Sequence, residues 1–203
     1  AKTLFPYTTL FRSINGSTGA ILGRSLVSLR QLVESTLADV RMEASHQQVQ
    51  RISLSPLLRH LSEAGHLDAA HRGLRFLCEL PPAELFVNAD PQLLESAVNN
   101  LLSNAFKYTR PGGTVVMRAR RDAANVAIEV EDECGGISPA DGDLFKAFGD
   151  RRGHDRTGLG LGLSIARKAV RTSGGDIRIR NQPGQGCIFV VELPLASETA
   201  HVT

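Results

Sequence analysis

Three stretches of the sequence hold residue types suited to a phosphorylated, aromatic ligand. The first is ESAVNNLLSNAFKYT, Glu95 to Thr109. Asn100, Asn104, Lys107 and Tyr108 follow helical spacing and share one face, while Leu94, Ala97, Val98, Leu101 and Ala105 form another. An asparagine offers a neutral oxygen to Mg²⁺, and a lysine supplies a point charge for phosphate. Alone, such a face reads as ordinary solvated helix. The second stretch is VEDECGGI, Val130 to Ile137. Here a strand pattern ends on Asp132, which can accept a hydrogen bond from an exocyclic amine. Paired glycines follow, where backbone can approach a ligand closely. The plain alternative is a strand and a tight turn. The third is TGLGLGLSIARKAV, Thr157 to Val170, in which Gly158, Gly160 and Gly162 lead into a helical pattern. Glycine-uncovered N–H groups at a helix start suit an anion. A dinucleotide-binding fingerprint fails here, because no clean buried strand runs directly into these glycines.

The elements that must position these groups are readable by period and punctuation. A helix is expected over Pro91–Tyr108, with Asp90 as N-cap and Pro91 in the first position. Short strands are expected at Val49–Leu54, Leu74–Leu80 and Glu84–Val87, the last two joined through Pro81-Pro82. A helix over Ser55–Ala70 is entered through Ser55-Pro56. Thr114–Arg120 and Val126–Glu131 alternate like a hairpin. A helix runs from about Gly158 to Ser173. Asp176–Arg180 and Cys187–Leu193 close the domain around Gln182-Pro183-Gly184. Interleaving of this kind predicts an α+β fold, a two-layer sandwich of mixed sheet and helices. Ahead of it, Leu22, Leu26, Leu29, Val33, Thr36 and Val40 mark one long helix of coiled-coil type that needs a partner helix.

Taken together and in order, the three stretches resemble the N, G1 and G2 boxes of histidine-kinase catalytic domains. That superfamily also holds type II topoisomerases, mismatch-repair ATPases and heat-shock chaperone ATPases. Phe145 and Phe148 look like the F box, and Gly184-Gln185-Gly186 like the last glycine box. The resemblance covers about residues 17–195. It implies the Bergerat ATP-binding fold, ATP and Mg²⁺ as cofactors, and phosphoryl transfer to a histidine. By the same resemblance Asp132 binds the adenine amine and Tyr108 packs near the base. Asn104 holds Mg²⁺ with Asn100 assisting, and Lys107 contacts phosphate. Gly135 and Gly136 shape the base pocket. Gly158, Gly160 and Gly162 support a lid over Gly149–Thr157, where Arg151, Arg152 and Arg156 meet phosphate charge. The helix at 20–42 corresponds to the second helix of a dimerisation hairpin, which implies a homodimeric parent, and the family implies a response regulator as partner.

Two departures stand out. Cys134 replaces the first glycine of the Asp-x-Gly-x-Gly pattern, and is expected to be a small packing residue. None of His46, His60, His66, His71, His154 or His201 sits in a phosphoacceptor box, so this sequence alone is expected to bind ATP without phosphorylating itself. The rival readings are an ATPase of the same superfamily, an anti-sigma serine kinase and a non-catalytic nucleotide-binding module. The ATPases generally carry a glutamate one turn before the Mg²⁺ asparagine as general base. Here that position is Asn100, an amide.

Bulk properties agree. With 203 residues and a net charge of +2 there is room for one domain and an appendage, and no basic excess that would mark a nucleic-acid binder. No apolar run approaches the ~20 residues that span a bilayer, so no membrane contact is expected and a cytoplasmic place is, with a membrane anchor in the parent compatible. The three cysteines are scattered and lack metal-ligand spacing. Residues 4–13, LFPYTTLFRS, resemble the translation of a common sequencing-library adapter. The expected organisation is therefore an artefact at 1–13, a truncated hairpin helix at 14–45, the catalytic domain at 46–196 and a tail at 197–203.

Overall fold

The structure, a computed structural model, describes residues 48–138, 142–146 and 161–196. The adapter-like stretch, the 20–42 helix, Phe148, the expected lid with Arg151, Arg152 and Arg156, Gly158, Gly160 and the tail lie outside the described residues.

Strand β5 (Asn125–Asp132) shows how the sheet is built. Val126, Ile128 and Val130 face the main core, as the two-residue period of a strand requires, while Ala127 and Glu129 face the other way. β5 pairs antiparallel with β4 (Thr114–Asp122) on one side and with β7 (Gly186–Pro194) on the other. β6 (Asp176–Gln182) lies outside β7, and β2 (Arg75–Glu79) joins β4 in parallel. The order is β2-β4-β5-β7-β6, a mixed five-stranded sheet. A separate antiparallel pair joins β1 (Gln50–Ser53) to β3 (Phe86–Ala89).

Three described helices, α1 (Leu54–His71), α2 (Pro91–Tyr108) and α3 (Gly162–Thr172), cover one face of the sheet. α2 is central because its apolar stripe is the broadest. Leu93, Leu94, Ala97, Val98, Leu101, Leu102, Ala105 and Phe106 are all buried. Each large side chain of that stripe contributes about 1.5–3 kcal/mol of hydrophobic stabilisation. The opposite sheet face is organised by charge. Glu129 is buried there and accepts hydrogen bonds from Arg118 at 2.8 Å and Arg120 at 2.9 Å, with Arg180 also bonded to it. The α+β sandwich expected from the sequence is therefore the observed architecture.

α2 has the expected bounds, and Asp90 caps it by accepting from the N–H groups of Gln92 at 2.9 Å and Leu93 at 3.2 Å. One expectation is corrected. The N-cap position of α1 is Ser53 rather than Ser55, and its side chain makes no capping bond; the Leu85 carbonyl instead accepts from the Leu54 N–H at 2.9 Å and fixes the start there. Pro56 becomes the third helical residue, still within the turn whose N–H groups have no intrahelical partner. The two strands joined through Pro81-Pro82 are both present, at Arg75–Glu79 and Phe86–Ala89. β2 belongs to the large sheet and β3 to the small one, so the proline pair carries the chain between sheets.

Candidate functional site

Continuing the inward alternation of β5 by one step puts Asp132 on the core face, where an apolar residue would be expected. It is only 4 % exposed. Its strand neighbours in register are Val115 and Cys187. One carboxylate oxygen accepts from the Cys134 N–H at 3.0 Å. Burial above all, then the neighbouring Cys134 thiol, pushes the Asp132 carboxyl up to about 7, against the opposing pull of the Cys134 and Cys187 backbone N–H groups. A buried carboxyl with such a pKa is a common mark of a functional site.

The loop after Asp132 is stitched to the β6–β7 turn. Gly135 donates to the Gln185 carbonyl at 3.1 Å, and Gly184 donates to the Gly135 carbonyl at 2.9 Å. The Asn181 side chain braces Ile137 twice, accepting from its N–H at 2.7 Å and donating to its carbonyl at 2.8 Å. Gly136 has φ +91°, and a Cβ there would meet the Pro183 backbone at 2.9 Å. Gly186 is tighter still, since a Cβ would stand 1.7 Å from the Asp132 carbonyl oxygen. The first and last glycine boxes thus form one backbone unit, which no local pattern reveals.

α2 delivers the polar face. Asn100, Asn104, Lys107 and Tyr108 are all half-buried, with the Lys107 ammonium 5.0 Å from the Tyr108 ring centroid. Gly162 opens α3 directly over Asn100, where a Cβ would come within 3.0 Å of the Asn100 Oδ1. The end of α2 is tied to the start of the glycine loop. Arg110 donates to the Glu133 carboxylate at 2.7 and 2.9 Å, and its N–H to the Glu133 carbonyl at 3.3 Å. Between them Thr109 carries a buried hydroxyl with no hydrogen-bond partner among the described residues. Phe145 packs under the Arg167 guanidinium, 4.5 Å from its ring centroid, and Arg167 in turn clamps Asp176 at 2.7 and 3.0 Å.

The donor set suits a nucleotide and a hard cation. Asp132 presents a buried acceptor, Lys107 a cation, and Asn100 and Asn104 neutral oxygens one turn apart. Cys187, Asn181 and Thr109 are the site neighbours that sequence reasoning missed. The expectation for Cys134 also needs enlarging. It packs against the core as expected, yet its sulfur lies 2.7 Å from that of Cys187.

Comparison with known proteins adds the family. The profile described as "Histidine kinase-, DNA gyrase B-, and HSP90-like ATPase" matches residues 89–197. The chain belongs to that family. Among curated relatives of this ATPase-family chain, the sensor-like histidine kinase SenX3 of Mycobacterium tuberculosis is 39 % identical over 124 residues, covering 59 % of this chain and 30 % of the relative. The sensor histidine kinase RcsC of Escherichia coli is 30 % identical over 175 residues, covering 82 % of this chain and 18 % of the relative. The chain therefore spans less than a third of each. Full-length ShkA, solved in complex with AMPPNP, superposes with a TM-score of 0.72 at 25 % identity, covering 98 % of this chain and 41 % of that one. The mycobacterial sensor histidine kinase MprB, with a TM-score of 0.63 at 24 % identity, covers 74 % of this chain and 99 % of that one and shares the fold. Among the described residues, no helix is long and apolar enough to cross a membrane.

Proposed function

We propose that this chain is the ATP-binding catalytic domain of a sensor histidine kinase, and that Asp132 is its adenine-recognising carboxylate. The observation that carries the reading is a buried carboxyl at the end of β5, framed by Gly135, Gly136 and Gly186 and facing the helix layer that holds Asn104 and Lys107. Tyr108 lies against the base, and Lys107 meets phosphate. By the family resemblance Gly158, Gly160, Gly162 and Arg156 serve the phosphates; of these only Gly162 lies within the described residues. Asn104, helped by Asn100, would hold Mg²⁺, which supplies charge neutralisation for a phosphoryl group in flight. By the family resemblance Phe148 belongs with Phe145 to the F box.

The kinase reading is favoured over the ATPase reading by Asn100. An amide there cannot take a proton from water, so the site can bind and aim a γ-phosphate without hydrolysing it. The acceptor is a histidine other than the six in this sequence. The parent is a cytoplasm-facing homodimer built through the hairpin helix, and passes phosphate to a response regulator.

Calorimetric titration of ATP, with and without Mg²⁺, tests this on the chain and on Asp132→Ala. Micromolar binding that disappears in the variant is expected, together with absence of acid-labile phosphate on the chain itself. A folded chain that binds no ATP, or binds it equally well without Asp132, refutes the proposal.

A further inference from the structure

Among the described residues a pair of thiols beside Asp132 is left unused by the proposed function. The thiols of Cys134 and Cys187 and the carboxylate of Asp132 have their terminal atoms all within 4.8 Å of one another. The two sulfurs are 53 positions apart in sequence and 2.7 Å apart in space. Closing that gap to the ~2.05 Å of a disulfide needs only a few tenths of an ångström from each side. The environment is asymmetric. Cys134 is half-buried in the glycine loop, while Cys187 is 1 % exposed on β7.

We propose that Cys134 and Cys187 form a reversible disulfide on the wall of the nucleotide pocket, an oxidative modification site that bound nucleotide shields. The oxidant class is a peroxide. The more accessible Cys134 sulfur attacks the O–O bond and gives a sulfenic acid and one water. The Cys187 sulfur then attacks the Cys134 sulfur, the S–O bond breaks, and the second water leaves with the thiol proton. Two thiols are oxidised as one hydrogen peroxide is reduced to two waters. A small-molecule dithiol reverses the step by exchange. The buried partner acts as resolving thiol, which protects Cys134 from over-oxidation.

The geometry also says why nucleotide matters. Cys134 donates its N–H to the carboxylate proposed to read adenine, so a base held there stands beside the same residue that a peroxide must reach. This part rests on the proposed function; the disulfide itself does not.

The test treats the full chain with hydrogen peroxide, blocks remaining thiols with iodoacetamide, and maps peptides by mass spectrometry. A Cys134–Cys187 cross-linked peptide is expected, reversed by dithiothreitol, lost in Cys134→Ser and in Cys187→Ala, and kept in Cys78→Ser. Saturating ATP is expected to slow its formation at least fivefold. Alkylation of both cysteines after denaturation, with no cross-link, overturns the proposal. So does a stoichiometric zinc ion on the purified chain, which would make the cluster a metal site. A cross-link formed at the same rate with calorimetrically bound ATP overturns the shielding. A cross-link in a chain that binds no ATP upholds the disulfide and instead defeats the nucleotide reading.

Discussion

Replacing Asp132 by Asn should remove a pH dependence that the wild-type fold carries. In the folded chain the Asp132 carboxyl is pushed from 3.8 up to about 7, chiefly by burial. A raised carboxyl pKa means the native state holds the proton more tightly than the unfolded state. Its contribution is complete below about 3.8 and is lost as pH rises through about 7. At pH 5, two units below the folded value, the contribution is about 3 kcal/mol at 1.36 kcal/mol per unit, and at pH 9 it is close to zero. Asn keeps the oxygen that accepts from the Cys134 N–H and cannot ionise. Urea unfolding of both proteins at pH 5 and pH 9 isolates the effect, because every other titrating group is common to the two. The stability difference between them should move by about 3 kcal/mol in favour of the variant at the higher pH. Parallel pH profiles would refute the reasoning and mean that Asp132 is ionised in the fold at little cost.

Two further outcomes follow from packing. Gly186→Ala puts a methyl group into the Asp132 carbonyl, so a loss of at least about 3 kcal/mol is expected, read as a fall in the urea midpoint, with ATP binding lost in parallel. Asp90→Ala leaves the Gln92 and Leu93 N–H groups without their acceptor and should cost about 1 kcal/mol in the same assay, with ATP affinity unchanged.

What the sequence disclosed was whatever local chemistry decides. α2 was readable to the residue because Asp90 and Pro91 signal its start and its stripe is continuous. The β4–β5 hairpin was readable because both strands alternate around a short turn. The misplaced or unread features are those decided by distant partners. Ser53 rather than Ser55 opens α1 because of a carbonyl at Leu85. Which sheet each strand beside Pro81-Pro82 joins, β2 with β4 and β3 with β1, was likewise unread, although the strands themselves were expected. In the site, residue types along α2 and the glycine loop could be seen, but the register that sets Cys187 opposite Asp132 could not. Long-range strand pairing leaves no trace in a local pattern, so three cysteines that looked scattered include two in contact.

The insertion of β7 between β5 and β6 has a consequence for biosynthesis. A ribosome that has just finished Asp132 has made β5 but not the strand that will lie along its second edge. At about 5–20 residues per second, several seconds pass before Pro194 is added. During that interval a nascent chain exposes Val126, Ile128 and Val130 beside an unpaired strand edge, the pattern that invites pairing with a neighbouring polypeptide. The carboxylate of the candidate site thus emerges well before Cys187, its neighbour in the sheet, and waits for the surroundings that bury it.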